Sequence, residues 1–360
     1  MKTLISFELR KLFSRRLTQA ALLAVLLLSI LFTSSTYRNM YAFDGKSRDG
    51  SGREAVEIDR SIAEKYAGIL TDEKVQQMMS DFAPESSLDL HGMNAAYLYH
   101  NATQSAAFRR FSDLNGRWNG LTVSDVFGDE VIRIGYINGW LETSQNMTVI
   151  FLVLSLVIIT MIAPVFSGEY SGVDQILLTT RYGRTRCAAA KVLAGILAAL
   201  SVTAVVSATQ FFPALLLYGS DGLRCSILFA PAGFLDGFIP FNLTCGTLFA
   251  YQILLIFTGA VSVSGITFLV SAASKSPMTA LAVSAAAYLL PALLPVSETS
   301  SLFRYLTLLP VYHVQFVSLM SIEQISGGIL YALWAVPVSL TFLGIGSLAS
   351  SRIYAKHQVK

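Results

Sequence analysis

Charge is what this chain has least of: 26 basic and 23 acidic side chains among 360 residues, 14% in all, against 53% apolar residues. An ordinary soluble domain carries roughly a quarter of its residues charged, so this composition points to a membrane protein. Cysteine is scarce too, at three, which excludes a disulfide framework. Cys225 and Cys245 leave either one bridge or two free thiols, and Cys187 stands apart. The four histidines, His91, His100, His313 and His357, are scattered, and no H-E-x-x-H occurs, so no metal centre is expected. Neither a G-x-x-x-x-G-K-[ST] phosphate loop nor a G-x-S-x-G elbow is present. ATP hydrolysis by this chain alone and serine-hydrolase chemistry are therefore not expected. No residue is assigned a catalytic or cofactor-binding role, and nothing points to nucleic acid.

What the chain does have is long apolar runs. A spanning helix needs about 20 largely apolar residues, and six stretches qualify: roughly 17–37, 147–166, 192–218, 248–270, 278–295 and 329–349. The expected fold is an all-α polytopic membrane protein with six transmembrane helices. The first stretch is too long for a usual signal core and lacks a clear cleavage site, so it reads as an uncleaved anchor. In the fifth, Pro291 and Pro295 either end a span or turn a re-entrant hairpin. Within the six stretches no Asp, Glu, Lys, Arg or His lies at depth; the polar residues are Gln19, Gln210, Gln252 and scattered Ser and Thr. Ion-driven pumps keep ionisable groups there, which counts against a secondary transporter.

Basic residues set the expected orientation. Lys2, Arg10, Lys11, Arg15 and Arg16 precede the first span, Arg181, Arg184, Arg186 and Lys191 follow the second, Lys275 follows the fourth, and Arg352, Lys356 and Lys360 end the chain. All fall on one side, so both termini are expected to be cytoplasmic. The segment 38–146 holds 11 basic and 16 acidic residues, a net of −5, and is expected outside.

Three domains follow. Residues 1–37 comprise an interfacial helix and the first span; in "KTLISFELRKLFSRR", Ile5, Leu9, Leu12 and Phe13 share one face and Glu8, Lys11 and Arg15 the other. Residues 38–146 form a mostly helical external domain, with few large apolar residues of its own and a clear helix at "LTDEKVQQMMSDF", where Thr71 caps and Leu70 staples to Val75. "MNAAYLYHNATQSAAFRRF" also reads helical, and "VFGDEVIRIGYINGW" is ambiguous. Residues 147–360 form a five-span bundle with a cytoplasmic helix at 170–182 and an external region, 296–328, in which short helices dip back toward the membrane. Small residues such as Ala188 to Ala190, Ala194, Gly195, Gly259 and Gly265 suit close helix packing. The N-x-[ST] triplets at Asn101, Asn146 and Asn242 read as chance occurrences.

The stretch "FSGEYSGVDQILLTTRYGRTR", residues 166–186, is the chemically distinctive one. Val173, Ile176, Leu177 and Thr180 recur at helical spacing, Gly183 is placed to stop the helix, and Arg181, Arg184 and Arg186 crowd its C-terminal end, where cations offset the dipole. It is a short amphipathic helix, shaped to fill a groove on a partner. Glu169, at its head, either pairs with a basic residue of that partner or caps the helix; the whole stretch otherwise reads as a turn lying on the headgroups.

Glu169 followed by Gly172, the "QILLTT" helix, "RYGR" and Lys191 opening the next span resemble the first cytoplasmic loop of ATP-binding-cassette (ABC) permeases of the type-2 exporter class. So does the layout, with a basic "FELRKLFSRR" helix before span one and a large outer segment after it. The resemblance implies a coupling helix docking on a separate ABC ATPase subunit, with Glu169, Gly172, Val173, Ile176, Leu177, Arg181 and Arg184 at the contact. It also implies a second permease chain, identical or related, in a bacterial plasma membrane. Many members of the class have only a short first outer loop, so the 38–146 segment suits a subset of them. Without charges at depth, the expected cargo is amphipathic or apolar: a peptide, a lipid-like molecule or a drug. The alternative expectation is a non-transporting membrane receptor or immunity subunit acting through its external domain.

Overall fold

Apolar runs that must satisfy their own backbone hydrogen bonds become helices, and the computed structural model is mostly helical. It describes residues 1–45, 47–83, 101–170, 183, 185–231, 242–297, 300–315, 325–326 and 329–356. In chain order these form α1 (Lys2–Phe13), α2 (Arg16–Asn39), β1 (Tyr41–Phe43), β2 (Asp49–Ser51), α3 (Arg53–Lys65), β3 (Gly68–Ile69), α4 (Asp72–Asp81), α5 (Ala102–Phe111), α6 (Val123–Phe127) and β4 (Arg133–Ile134). There follow α7 (Asn138–Ile162), α8 (Pro164–Ser167), α9 (Arg186–Tyr218), α10 (Cys245–Ala273), α11 (Pro277–Leu293), α12 (Ser301–Leu306), α13 (Pro310–Val314), β5 (Ile325–Ser326), β6 (Ile329–Leu330) and α14 (Ala335–Lys356).

Among the described residues five helices are long and apolar enough to cross a membrane: α2, α7 continued by α8, α9, α10, and α14 with the turn before it. The fifth expected span, at 278–295, is a shorter apolar helix of 17 residues, Pro277–Leu293. At 1.5 Å per residue it is about 25 Å long, against a hydrocarbon core of about 30 Å. Its limits have local causes. The Ser276 side chain accepts from the Thr279 N–H and Pro277 takes the first turn, where a missing donor costs nothing. At the other end Leu294 is extended, the conformation forced on a residue that precedes a proline.

The described chain divides into two compact units. The first comprises Met1–Ile30, Met147–Thr209 and Gln252–Lys360. Small residues let its helices approach as expected. A Cβ on Gly195 would lie 2.6 Å from the Phe268 ring, and one on Gly265 would lie 2.4 Å from the Phe342 carbonyl oxygen. Gly259 meets the side chain of His313, so α13 packs against the middle of α10.

In α1 the sequence expectation is corrected. Glu8 and Leu12 are buried while Leu4 and Phe7 are exposed, Phe7 at 64%. The stripe turned inward therefore carries Glu8 and Lys11 along with apolar side chains; Lys2, Arg10 and Arg16 remain exposed. Buried charges of this kind persist only when they are paired, and their partners are described below.

The second unit comprises Leu31–Asn146 and Gln210–Tyr251. It is mostly helical but also holds two small antiparallel ladders, β1 with β2 and β3 with β4. Its core is richer than the sequence of 38–146 suggests: Tyr66, Leu70, Val75, Met78, Phe108, Phe111, Ile132 and Ile134 cluster with Phe229, supplied by the later segment. Thr71 caps α4 as expected, and Leu70 and Val75 lie together in that core. Of the stretch expected to be helical at 93–111, residues 93–100 lie outside the described residues, and α5 runs from Ala102 to Phe111 with Asn101 as its cap. Asn101, Asn146 and Asn242 all spend their side-chain amides on internal hydrogen bonds, in keeping with chance triplets. Cys225 and Cys245 are buried free thiols of neighbouring residues next to the antiparallel Ser226–Thr244 bridge, the Cys245 N–H donating to the Cys225 carbonyl at 2.9 Å.

Asp59 ties this unit together. Its carboxylate accepts from the Ala102 N–H at 2.9 Å and from the Asn138 side chain at 3.2 Å. Burial pushes its pKa up from 3.8 to about 6, with the two hydrogen bonds opposing. Between pH 4 and 6 the folded unit thus holds a proton that the unfolded chain releases, so stability rises as pH falls through that window and is lower above it. A rise of this size corresponds to at most about 3 kcal/mol. Asp59→Asn, followed by thermal unfolding from pH 4 to 8, should flatten the profile; an unchanged slope would place the titrating group elsewhere.

Candidate functional site

The stretch singled out by sequence starts from an ion cluster. α7 bends at Pro164 into α8, and the chain then turns through Gly168 to Glu169 and Tyr170. The Ser271 side chain, near the end of α10, accepts from the Phe166 and Ser167 N–H groups and donates to the Ala163 carbonyl. One turn further, the Tyr170 phenol donates to the Ala272 carbonyl at 2.8 Å. These bonds satisfy backbone groups that the end of one helix would otherwise leave unpaired.

Glu169 is the hub. Lys11 from α1 and Lys191 from α9 both donate to its Oε1, and the Tyr354 phenol from α14 donates to Oε2 at 3.1 Å. Lys191 also reaches Glu8 of α1 at 2.9 Å. Lys191 and Glu169 are buried, Glu8 nearly so, and Lys11 is 31% exposed. Two carboxylates thus face two ammonium groups, a neutral set. Burial raises the Glu169 pKa, but Lys191 and Lys11 overcome it and hold the carboxyl below its ordinary value. Arg15 donates to the Pro164 carbonyl at 3.3 Å, beside the same cluster. Tyr354 closes the group with its ring against Phe166 and Tyr170.

The sequence offered Glu169 a partner's basic residue or the cap of the following helix; within the chain its two oxygens accept from Lys11, Lys191 and Tyr354. The rest of the expected contact, Gly172, Val173, Ile176, Leu177, Arg181 and Arg184, lies outside the described residues, and so does the helix expected from residue 171 to 182. Gly183 sits in a turn. Sequence reasoning missed Lys11, Lys191 and Tyr354 as partners of Glu169, and Glu8 as the second carboxylate on Lys191. A signal existed: Lys191 stands one turn inside the apolar run "CAAAKVLAG", and a lysine there needs a buried counter-ion.

His313 is a second omission. It is fully buried against the middle of α10, with Nε2 at 3.0 Å from the Leu308 carbonyl and Nδ1 at 3.5 Å from the Ser339 hydroxyl. A carbonyl only accepts, so Nε2 carries the proton and Nδ1 accepts from Ser339. Both ring nitrogens are used within the fold.

None of this geometry presents a nucleophile with a base, and among the described residues no cluster of three or more His, Cys, Asp or Glu is placed to hold a metal ion. The arrangement is mechanical. It joins α1, the α8 turn, the start of α9, the end of α10 and the end of α14 at the root of the 171–182 segment. No family model matches the chain, and comparisons with curated proteins and with solved structures find no match either.

Proposed function

We propose that the chain is the membrane-spanning permease subunit of an ABC exporter, working as a dimer and driven by a separate ATPase. The ion cluster carries this reading. A docking segment can move a bundle only if its root is rigidly attached, and the residue at the root of 171–182 is gripped by side chains from three helices. Buried ion pairs of this kind fix geometry more than they add stability. On this reading α1 lies in the inner membrane interface, both termini are cytoplasmic, and α11 makes a sixth, incomplete crossing. Force on the coupling segment passes through Glu169 into α1, α9 and α14 together. The cargo is an amphipathic or apolar molecule that leaves a bacterial cell.

The test is a mild-detergent pull-down of the tagged protein from native membranes, repeated with Arg181→Glu plus Arg184→Glu. Both arginines lie outside the described residues, whereas Glu169 belongs to the ion cluster. A Walker-motif ATPase recovered with wild type and reduced at least tenfold with the variant is the expected result. No ATPase in either sample, even after cross-linking, would leave the receptor reading in its place.

A further inference from the structure

The second unit contains a cavity of about 360 Å³, lined by α3, β4 and the turn that follows α9. This is within the range of small-molecule sites, which begin at about 300 Å³. Its chemistry is uneven. Arg60 of α3, Arg133 of β4 and Arg224 of the turn bring three guanidinium groups to one space, against the carboxylates of Glu64 and Asp221. Tyr136 and Tyr218 supply aromatic walls, their ring centroids 6.3 Å apart.

The arginines are not balancing the carboxylates. Arg60 lies over the Tyr136 ring, 5.5 Å from its centroid, and donates to the Leu217 carbonyl at 3.4 Å, so its fork is held in place without an acidic partner. Arg133 and Arg224 are exposed and make no ion pair among the described residues. The wall between them is rigid. A Cβ on Gly222 would lie 2.0 Å from the Tyr136 carbonyl oxygen, one on Gly135 would lie 2.8 Å from the Cys225 sulfur, and the Trp140 indole donates to the Gly219 carbonyl at 3.0 Å. A preformed space that sets unpaired planar cations beside aromatic rings suits an oxyanion able to accept from more than one fork. The two nearby carboxylates disfavour a bare polyanion and favour a ligand that also carries a cation.

We propose that this cavity binds a zwitterionic phosphate ester of the phosphoethanolamine type, its phosphate on the arginines and its ammonium on Glu64 and Asp221. Two sources supply that chemistry, a phospholipid headgroup and a water-soluble ester. The position of Tyr218 suits the first. It ends α9, a helix of 33 residues, about 50 Å long and thus longer than the hydrocarbon core, which puts its last turn at headgroup level. The proposal goes beyond the permease reading and does not depend on it.

Full-length protein in detergent is titrated calorimetrically with O-phosphorylethanolamine, alone and against inorganic phosphate. Saturable one-to-one binding is expected, weakened at least tenfold by Arg133→Gln plus Arg224→Gln, both exposed and away from the core. Phosphate should compete in the unaltered protein, which tests the phosphate contact without any substitution. Glu64→Gln plus Asp221→Asn should narrow the preference for O-phosphorylethanolamine over phosphate. Native mass spectrometry after delipidation then separates the sources. Phosphatidylethanolamine retained by wild type and lost by the arginine variant assigns the lipid, whereas soluble-ester binding with no retained lipid assigns the free ester. Absence of binding by both probes, or binding equal in wild type and the arginine variant, would overturn the proposal.

Discussion

Lys191→Met should destabilise the detergent-solubilised protein by about 3–5 kcal/mol, the range for removing one member of a buried ion pair. The loss does not come from the forfeited attraction alone. Lys191 stands between Glu8 and Glu169, and without it two buried carboxylates share a site with only the partly exposed Lys11 in contact and Arg15 nearby as counter-charges. At least one of them must then take up a proton or drag water inward. The triple variant Lys191→Met, Glu8→Gln, Glu169→Gln removes that conflict and should recover most of the loss, because neutral groups of similar shape replace the ions. Denaturation midpoints measured in one detergent decide the matter. A single variant as stable as wild type would show that the cluster is solvated in the protein and does not grip the root of the 171–182 segment.

How much of this was legible in the sequence depends on which force set each feature. Hydrophobic runs report directly on helices, so the expected spans 17–37, 192–218 and 248–270 reappear within α2, α9 and α10, 147–166 across α7 and α8, and 329–349 in α14 with the strand and turn before it. The run at 278–295 is a helix of 17 residues, Pro277–Leu293, bounded by the Ser276 cap and by the constraint of Pro295 on Leu294, a limit the prolines of the sequence offered. Thr71 was readable because a cap is local. Glu8 was not. Its partner Lys191 lies 183 residues away, and helical periodicity alone assigns a charged face to water or headgroups. The core of the second unit was underestimated for the same reason, since Phe229 enters it from a segment well beyond residue 146, where the expected domain ends. The three arginines of the cavity come from three separate elements, and no spacing in the chain announces them. Sequence alone marked Glu169, but only the fold shows that its side chain holds the bundle from within.

Close approach of two helices gives the other large effect. Gly346→Val would set a Cβ 2.0 Å from the Gly265 carbonyl oxygen, and the neighbouring atoms are backbone on both sides. No flexible side chain is there to move aside, so α14 must shift bodily from α10. Overpacking of that kind costs about 1–3 kcal/mol where side chains can adjust, and backbone against backbone should reach the upper end or exceed it. Gly344, two residues earlier on the same helix, supplies the control: nothing lies within 4 Å of its notional Cβ. There Gly344→Ala meets no obstacle and gains helix propensity, up to about 1 kcal/mol. The two substitutions should therefore move the thermal midpoint in opposite directions, although both add bulk at a glycine of one helix. If they moved it alike, the contact between Gly265 and Gly346 would not be what holds α14 in place. The end of α14 carries Tyr354, the phenol that reaches Glu169. A displaced α14 should thus also weaken the grip on Glu169, and if the proposed permease function holds, Gly346→Val should lower ATPase recovery in the pull-down while Gly344→Ala leaves it unchanged.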